Sequence, residues 1–264
     1  MKSENLYPKD VFGSFSIRDR IIAEFAIKAN FINVSDGIKD ISNVLSKHKL
    51  DILDLILTSM GSSQFFIAIV DCSRIEGELE KAIKDIENIN GVNEVKYATK
   101  KLKEKLVDRF TIPTFGGGRF EALILGKDEF SQVLTEIKKS YGSGGEAFIY
   151  MIGFKLGSVC GEKYKPEMLT AEFIREDVLI FQAFGWGIPE IRYLDIKKPK
   201  IVIRFHKLFE SSFVSERKTE PNCYFFKGFT TGLFSKFFKK DLSVVEVKCI
   251  AKGDPYCEFI IEAK

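Results

Sequence analysis

Residues 246–259 have the sequence EVKCIAKGDPYCEF, in which two cysteines stand on either side of a turn. The four residues 252–255 are turn formers, and Gly253 readily takes a positive φ. Cys249 and Cys257 each lie four residues from Gly253. Residues that face one another across paired strands have β-carbons about 4.5–5.5 Å apart. The sequence therefore predicts a C-terminal β-hairpin that brings these two thiols together.

Two further side chains complete a candidate four-ligand metal site. Cys223 begins a phenylalanine-rich helix predicted over 222–239, and Glu246 lies on the first strand of the hairpin. Three thiolates and one carboxylate can form the tetrahedral site that zinc prefers. Glu246 and Cys249 are three residues apart and face opposite ways on a regular strand, so the site requires a β-bulge between them. The residues alone leave open a metal site, a disulfide or free thiols.

The hairpin closes a predicted α/β domain over 111–264. Upstream of it, the hydrophobic pattern predicts helical segments over 128–139 and up to about Cys160. Strands are predicted at 190–196 and 200–206.

The first half of the chain predicts a different domain, over 20–100. Residues 21–31 alternate apolar and polar side chains, which indicates a half-buried strand. The periods of the segments that follow give the order βαββαβ, which is a ferredoxin-like α+β fold. Residues 1–19 are an N-terminal extension, and the helical spacing of apolar residues predicts a linker helix over 101–110.

This first domain resembles an ACT domain, the small regulatory module that often binds amino acids at a dimer interface. The resemblance rests on Asp36-Gly37 after the first strand, on the end of the first helix at 45–49, and on residues 90–92 before the last strand. It implies a ligand-approaching loop formed by Ser35, Asp36, Gly37 and Ile38. Ser35 or Asp36 is also a candidate cap of the helix that follows. Because the family usually has proline where this chain has Asp36, a ligand-free dimerisation or docking module is the alternative.

From about residue 108 to the end, the chain resembles the 4-vinyl-reductase (Golgi-transport ligand-binding) domain family. That family includes sensor domains of phenol- and xylene-responsive transcription activators and relatives among TRAPP vesicle-tethering subunits. The resemblance rests on the segments 153–157 and 184–187, on Cys223 with the glycines that follow it, and on 246–259.

In the phenol-sensor branch of that family, zinc is held by Cys, then Glu 23 residues on, Cys three further and Cys eight further. The same residue types recur here at spacings of 23, 3 and 8. The resemblance therefore implies a structural zinc ion held by Cys223, Glu246, Cys249 and Cys257.

The same resemblance implies a buried pocket for a small apolar or aromatic ligand. The expected lining residues are Phe148, Phe154, Phe181, Phe184, Phe205, His206, Phe209 and Tyr224. In the phenol-sensor branch a His and a Trp hold the phenol hydroxyl, whereas here Phe209 is expected at the place of that Trp, so a phenol-specific pocket is not predicted. The alternative is that the 25 phenylalanines simply fill a core.

Composition narrows the function further. With 40 basic and 37 acidic residues, the chain lacks the charge excess of a direct nucleic-acid binder. Its apolar runs fall short of the roughly 20 residues of a membrane span, and its N-terminus lacks a secretory signal, so we expect a cytoplasmic protein. The glycine clusters at 116–118 and 142–145 lack the ending of a phosphate-binding loop.

These features together predict a ligand-sensing regulatory protein, a homodimer that signals through a downstream regulatory protein and is not itself an enzyme. A TRAPP-like trafficking or structural adaptor, with Cys160 as a conceivable acylation site, is the first alternative. A reductase of a vinyl group is the second, although the chain has no motif for a hydride-donating cofactor.

Overall fold

The computed structural model describes residues 7–8, 14–16, 20–74, 79–99, 105–116, 118–212 and 219–264. The chain divides into two compact units between Ile124 and Leu125. The boundary predicted at residue 111 differs from this division, because the short strands that follow it contact the first unit. A β-carbon at Gly118, for example, would lie 2.7 Å from the side chain of Met60.

The first unit is built on a four-stranded antiparallel sheet with two helices. Its elements are β1 (Ser14–Ser16), β2 (Ile22–Ala29), α1 (Val34–Lys47), β3 (Asp51–Met60), β4 (Ser63–Asp71), α2 (Leu79–Glu87), β5 (Val92–Ala98), β6 (Lys105–Val107), β7 (Thr114–Phe115) and β8 (Phe120–Glu121). The sheet has the strand order β3-β4-β2-β5. This is the ferredoxin-like arrangement, and the predicted βαββαβ order is confirmed.

Alternation along β2 builds the core of this unit. Phe25, Ile27 and Ala29 are buried against the side chains of Ile41 and Leu45 on α1. The predicted linker helix over 101–110 is wrong for residues 105–107, which form β6 and pair with β1; residues 101–104 lie outside the described part of the chain. Strand geometry wins there because it buries the side chain of Leu106 with Ile22 and Ile69.

The second unit packs helices on one face of another four-stranded antiparallel sheet. Its elements are α3 (Lys127–Gly161), α4 (Ala171–Asp177), α5 (Ile180–Ala183), β9 (Ile188–Asp195), β10 (Lys200–His206), α6 (Phe209–Ser212), α7 (Tyr224–Phe238), β11 (Leu242–Lys248) and β12 (Cys257–Ala263), with 3₁₀ turns at Pro166–Met168 and Ile250–Lys252. The sheet order is β11-β12-β10-β9. Helix α3 bends at Gly142, whose φ of 54° and ψ of −135° are not helical.

Glycines allow α3 and α7 to cross with their backbones in contact. A β-carbon at Gly153 would lie 2.1 Å from the carbonyl oxygen of Phe225, and one at Gly157 would lie 2.0 Å from that of Phe229. The contact is reciprocal, since a β-carbon at Gly228 would lie 2.1 Å from the carbonyl oxygen of Tyr150. Any larger side chain at these positions would drive the helices apart, so the glycines fix α7 firmly on α3.

The inner face of the sheet completes the core around α7. Ile203 and Phe205 of β10 and Phe259 of β12 are buried together with Phe226 of α7. Among the described residues, no helix is both long and apolar enough to cross a membrane.

Candidate metal centre

Three segments of the second unit bring the four predicted ligands together. Cys223 directly precedes α7, Glu246 lies on β11, Cys249 follows that strand, and Cys257 begins β12. The register between β11 and β12 shifts between Glu246 and Lys248. This irregularity is the bulge that the sequence required, and it turns Glu246 and Cys249 toward the same side.

The geometry of the cluster suits one tetrahedral ion. One ligand atom from each of the four residues lies within 4.8 Å of all the others, and all four residues are buried. The sulfur of Cys223 is 3.8 Å from that of Cys249 and 3.7 Å from that of Cys257. Bonds of about 2.3 Å from zinc to sulfur give a tetrahedron whose edge is about 3.8 Å. The sulfur atoms therefore stand at the spacing that zinc requires.

The electrostatics of the cluster also fit a cation. Burial raises the pKa of Glu246 to about 8, and neighbouring Cys249 adds to the shift. Burial likewise raises the pKa of the Cys223 thiol, whereas hydrogen bonds from the other two thiols lower the pKa of Cys249. Oε2 of Glu246 accepts a hydrogen bond from the backbone N–H of Cys223 at 3.0 Å. Oε1 is buried and finds no hydrogen-bond partner among the described residues, so it is free to bind an ion.

Hydrogen-bond donors around the cluster offset its negative charge. The hydroxyl of Ser211 lies 3.2 Å from the sulfur of Cys257, and the backbone N–H of Ile250 donates to the same sulfur at 3.4 Å. The carboxylate of Asp254 accepts from the backbone N–H of Cys249 at 2.8 Å and so holds the turn. Such contacts orient metal ligands and tune their basicity.

Residues 205–263 match the 4-vinyl-reductase domain family. The match runs from the end of β10 to the end of β12 and contains all four cysteine and glutamate ligands. The family predicted for the second domain is thereby confirmed for this segment, and the mixed α/β fold agrees with it.

Comparison with whole proteins finds only distant relatives. An uncharacterized protein of Methanocaldococcus jannaschii is 29% identical over 191 residues, which cover 72% of this chain and 89% of that protein. The phenol-responsive sensory domain of the transcription activator PoxR, solved with phenol, is 15% identical with a TM-score of 0.48 and covers 55% of this chain and 78% of its own. The ACT domain of a GTP pyrophosphokinase from Chlorobium tepidum is 16% identical with a TM-score of 0.27, over 30% of this chain and 99% of its own. At these scores neither structure supports a functional assignment by itself.

The aromatic residues predicted for the ligand pocket separate into two groups in the second unit. Phe181, Phe205 and Phe209 are buried and belong to one cluster around Trp186. The ring of Trp186 lies 5.7 Å from that of Phe181, 5.6 Å from that of Phe209 and 4.8 Å from that of Phe229. This cluster is where a ligand of the predicted kind would meet aromatic surface.

The remaining predicted pocket residues lie elsewhere. Phe148 and Phe184 are 51% and 48% exposed, so they do not line a buried cavity. His206 follows Phe205 on a strand, and successive side chains point to opposite faces, which turns the imidazole outward toward the carboxylate of Glu190 at 3.7 Å. Phe154 is half-buried beside Tyr150, and Tyr224 is half-buried beneath the amine of Lys227.

The loop predicted from the ACT resemblance is part of a helix. Ser35, Asp36, Gly37 and Ile38 all lie within the first turns of α1. Neither Ser35 nor Asp36 is the cap, because the side chain of Asn33 already accepts the backbone N–H of Ser35 at 3.0 Å. Gly37 makes room for an aromatic ring, since a β-carbon there would lie 2.3 Å from the side chain of Phe31.

Proposed function

We propose that this protein is a ligand-sensing regulator whose second unit holds a structural zinc ion and takes up a small apolar or aromatic molecule. The observation that carries the proposal is the buried cluster of three cysteines and Glu246, with sulfur atoms 3.7 Å and 3.8 Å apart. Its chemistry suits zinc, because thiolates bind that ion strongly and a carboxylate completes a tetrahedron. The likeness of residues 108–264 to the phenol-sensor branch supports the same proposal.

Zinc in this site would be structural rather than catalytic. Four protein ligands leave no open position for water or substrate, which a catalytic zinc site keeps. Bound zinc would supply cross-linking of Cys223, in front of α7, to the hairpin of β11 and β12. We therefore infer that the protein performs no chemistry of its own and passes its signal to a regulatory partner.

Helix α7 connects this site to the aromatic cluster. Cys223 stands at its start, and Phe225, Phe226 and Phe229 on its first turns contact the ring of Trp186 at 4.8–6.4 Å. A ligand that enters among these rings must displace them and shift α7. Binding then changes the protein's state only to the extent that the ligand favours one arrangement over the other.

Ligand binding is tested by calorimetric titration of the zinc-loaded protein with phenol, indole and palmitate, after solvent extraction of any molecule that copurifies. We expect saturable binding of an aromatic compound, weakened in Phe229→Ala. Phe237→Ala is the matched control, because Phe237 is equally buried on α7 but contacts Tyr164 and Phe173 instead. Binding of palmitate alone would favour the adaptor function, and absence of any bound or extracted molecule would contradict both.

The outward face of α3 supports the dimeric part of the proposal. Five of its side chains are between 41% and 58% exposed although all are large and apolar; they are Phe148, Met151, Ile152, Leu156 and Val159. Lys155 is the one charged residue among them. An isologous dimer needs a self-complementary patch, and a nearly uncharged stripe on a long helix meets that need. We assign this face to a second copy of the chain.

Sedimentation velocity tests the dimer. Ile152→Glu places a charge in the middle of the stripe and is expected to give a monomer. Val133→Glu is the control, since Val133 is 52% exposed on the same helix but lies outside the stripe. A wild-type monomer at micromolar concentration, or an Ile152→Glu protein that stays dimeric, would contradict the assignment.

A further inference from the structure

The N-terminus of α7 is capped in an unusual way. Cys223 occupies the N-cap position, where a side chain normally accepts hydrogen bonds from the backbone N–H groups of the first turn. Its side chain makes no such bond and instead lies among the sulfur atoms of the metal cluster. A thiol that binds a metal cannot also cap its helix, so the N–H groups of the first turn need another partner.

Glu210 supplies that partner from a distant part of the chain. Its Oε1 accepts the backbone N–H of Phe225 at 3.0 Å, and its Oε2 accepts that of Phe226 at 2.8 Å. The side chain comes from α6 and is fully buried. One carboxylate therefore satisfies two donors in the first turn, and its negative charge meets the positive end of the helix dipole.

Lys138 holds the same turn from the other side. Its Nζ donates to the carbonyl oxygen of Asn222 at 2.9 Å and lies 3.7 Å from Oε1 of Glu210. Burial raises the pKa of Glu210 to about 6, and the charge of Lys138 acts against that shift. The amine thus balances the buried carboxylate while it fixes the residue directly before Cys223.

The next residue on α6 also reaches the cluster. The hydroxyl of Ser211 lies 3.2 Å from the sulfur of Cys257, which is the ligand at the start of β12. Phe209, which precedes Glu210, stacks on Phe130 with ring centroids 5.6 Å apart. Helix α6 therefore contacts the aromatic cluster, the cap of α7 and a metal ligand through three consecutive side chains.

We propose that Glu210 and Lys138 are positioning residues that cap α7 in place of Cys223 and so leave its thiol free, and correctly placed, to bind zinc. This inference rests on the proposed zinc site and names what holds it in shape. The two residues do not touch the ion; they act through the backbone on either side of Cys223. Loss of either one lets the first turn of α7 fray, which moves a ligand out of the tetrahedron.

The test compares zinc affinity and stability in Glu210→Gln, Lys138→Met and Thr170→Ala. The first two change the proposed cap with little change in size. Thr170→Ala is the matched control, because Thr170 caps α4 in the same unit by accepting the N–H of Phe173 at 3.1 Å. Zinc dissociation constants are measured by competition with a chromogenic chelator, and the Co²⁺ charge-transfer spectrum reports whether all three sulfurs bind.

Glu210→Gln and Lys138→Met are expected to weaken zinc binding roughly 10- to 100-fold, the effect typical of residues that orient metal ligands. They are also expected to reduce the Co²⁺–thiolate absorption, whereas Thr170→Ala lowers thermal stability and leaves affinity and spectrum unchanged. Zinc affinities and spectra that stay at the wild-type level in both cap variants would overturn the inference. If the wild-type protein itself binds no zinc, the proposed function fails, and the wild-type titration reveals this before any variant is measured.

Discussion

Replacement of Gly157 by alanine probes the contact that fixes α7 on α3. A β-carbon at this position would lie 2.0 Å from the carbonyl oxygen of Phe229 and 2.8 Å from its carbonyl carbon. Both atoms belong to helix backbone, which cannot rotate out of the way as a flexible side chain can. The helices must therefore separate by roughly 1 Å, and a gap of that size forfeits up to about half of the dispersion energy at the contact.

The magnitude follows from two opposing effects. Alanine is favoured over glycine inside a helix by about 1 kcal/mol, and overpacking a tight contact costs about 1–3 kcal/mol. Because backbone rather than side chain is in the way, we take the upper end and expect a net loss of about 2 kcal/mol. Gly144 on the same helix has no described atom within 4 Å of its β-carbon position, so Gly144→Ala should gain about 1 kcal/mol.

Urea unfolding followed by tryptophan fluorescence measures this difference. Trp186 is the only tryptophan of the chain and lies in the second unit, so its signal reports that unit alone. We expect the two alanine variants to differ by about 3 kcal/mol, or roughly 10 °C in melting temperature. A Gly157→Ala protein as stable as Gly144→Ala would show that the helices do not pack as closely as described.

Two further predictions concern the metal ligands and one buried carboxyl group. Cys249→Ser and Cys257→Ser are expected to lose zinc by elemental analysis, whereas Cys160→Ser keeps it; equal loss in all three would contradict the assignment of ligands. Glu24 is fully buried, and burial, reinforced by Asp108, raises its pKa from 4.5 to about 7. Because the folded state then holds a proton that the unfolded state has lost, stability of the first unit should fall between about pH 4.5 and 7, by at most about 3 kcal/mol. Hydrogen exchange of the β2 amides measures this fall, and Glu24→Gln should abolish it; equal pH slopes in the two proteins would refute the reasoning.

Periodic and spaced signals in the sequence predicted the elements around the site. The turn at Gly253, the phenylalanine-rich helix and the order of strands in the first unit all depend on patterns that local backbone geometry repeats. The bulge between Glu246 and Cys249 was predicted for a different reason: only such an irregularity lets both side chains face one ion. Hence the four ligands could be named before their geometry was known.

Features that depend on single residues far apart in the chain were not predicted. Glu210 and Lys138 give no periodic signal, and only the position of Lys138, one turn after Leu134 on the buried face of α3, hints at its role. His206 was expected beside Phe205, but strand alternation sends the two side chains to opposite faces. Asn33 displaced the predicted helix cap because any short polar side chain at that position competes for the same N–H group.

The zinc site is tested most directly by metal analysis and X-ray absorption on wild-type protein purified without added zinc. Our account predicts one zinc ion per chain, surrounded by three sulfur atoms at about 2.3 Å and one oxygen atom at about 2.0–2.2 Å. Protein that contains no zinc, with Cys249 and Cys257 joined in a disulfide, would contradict it.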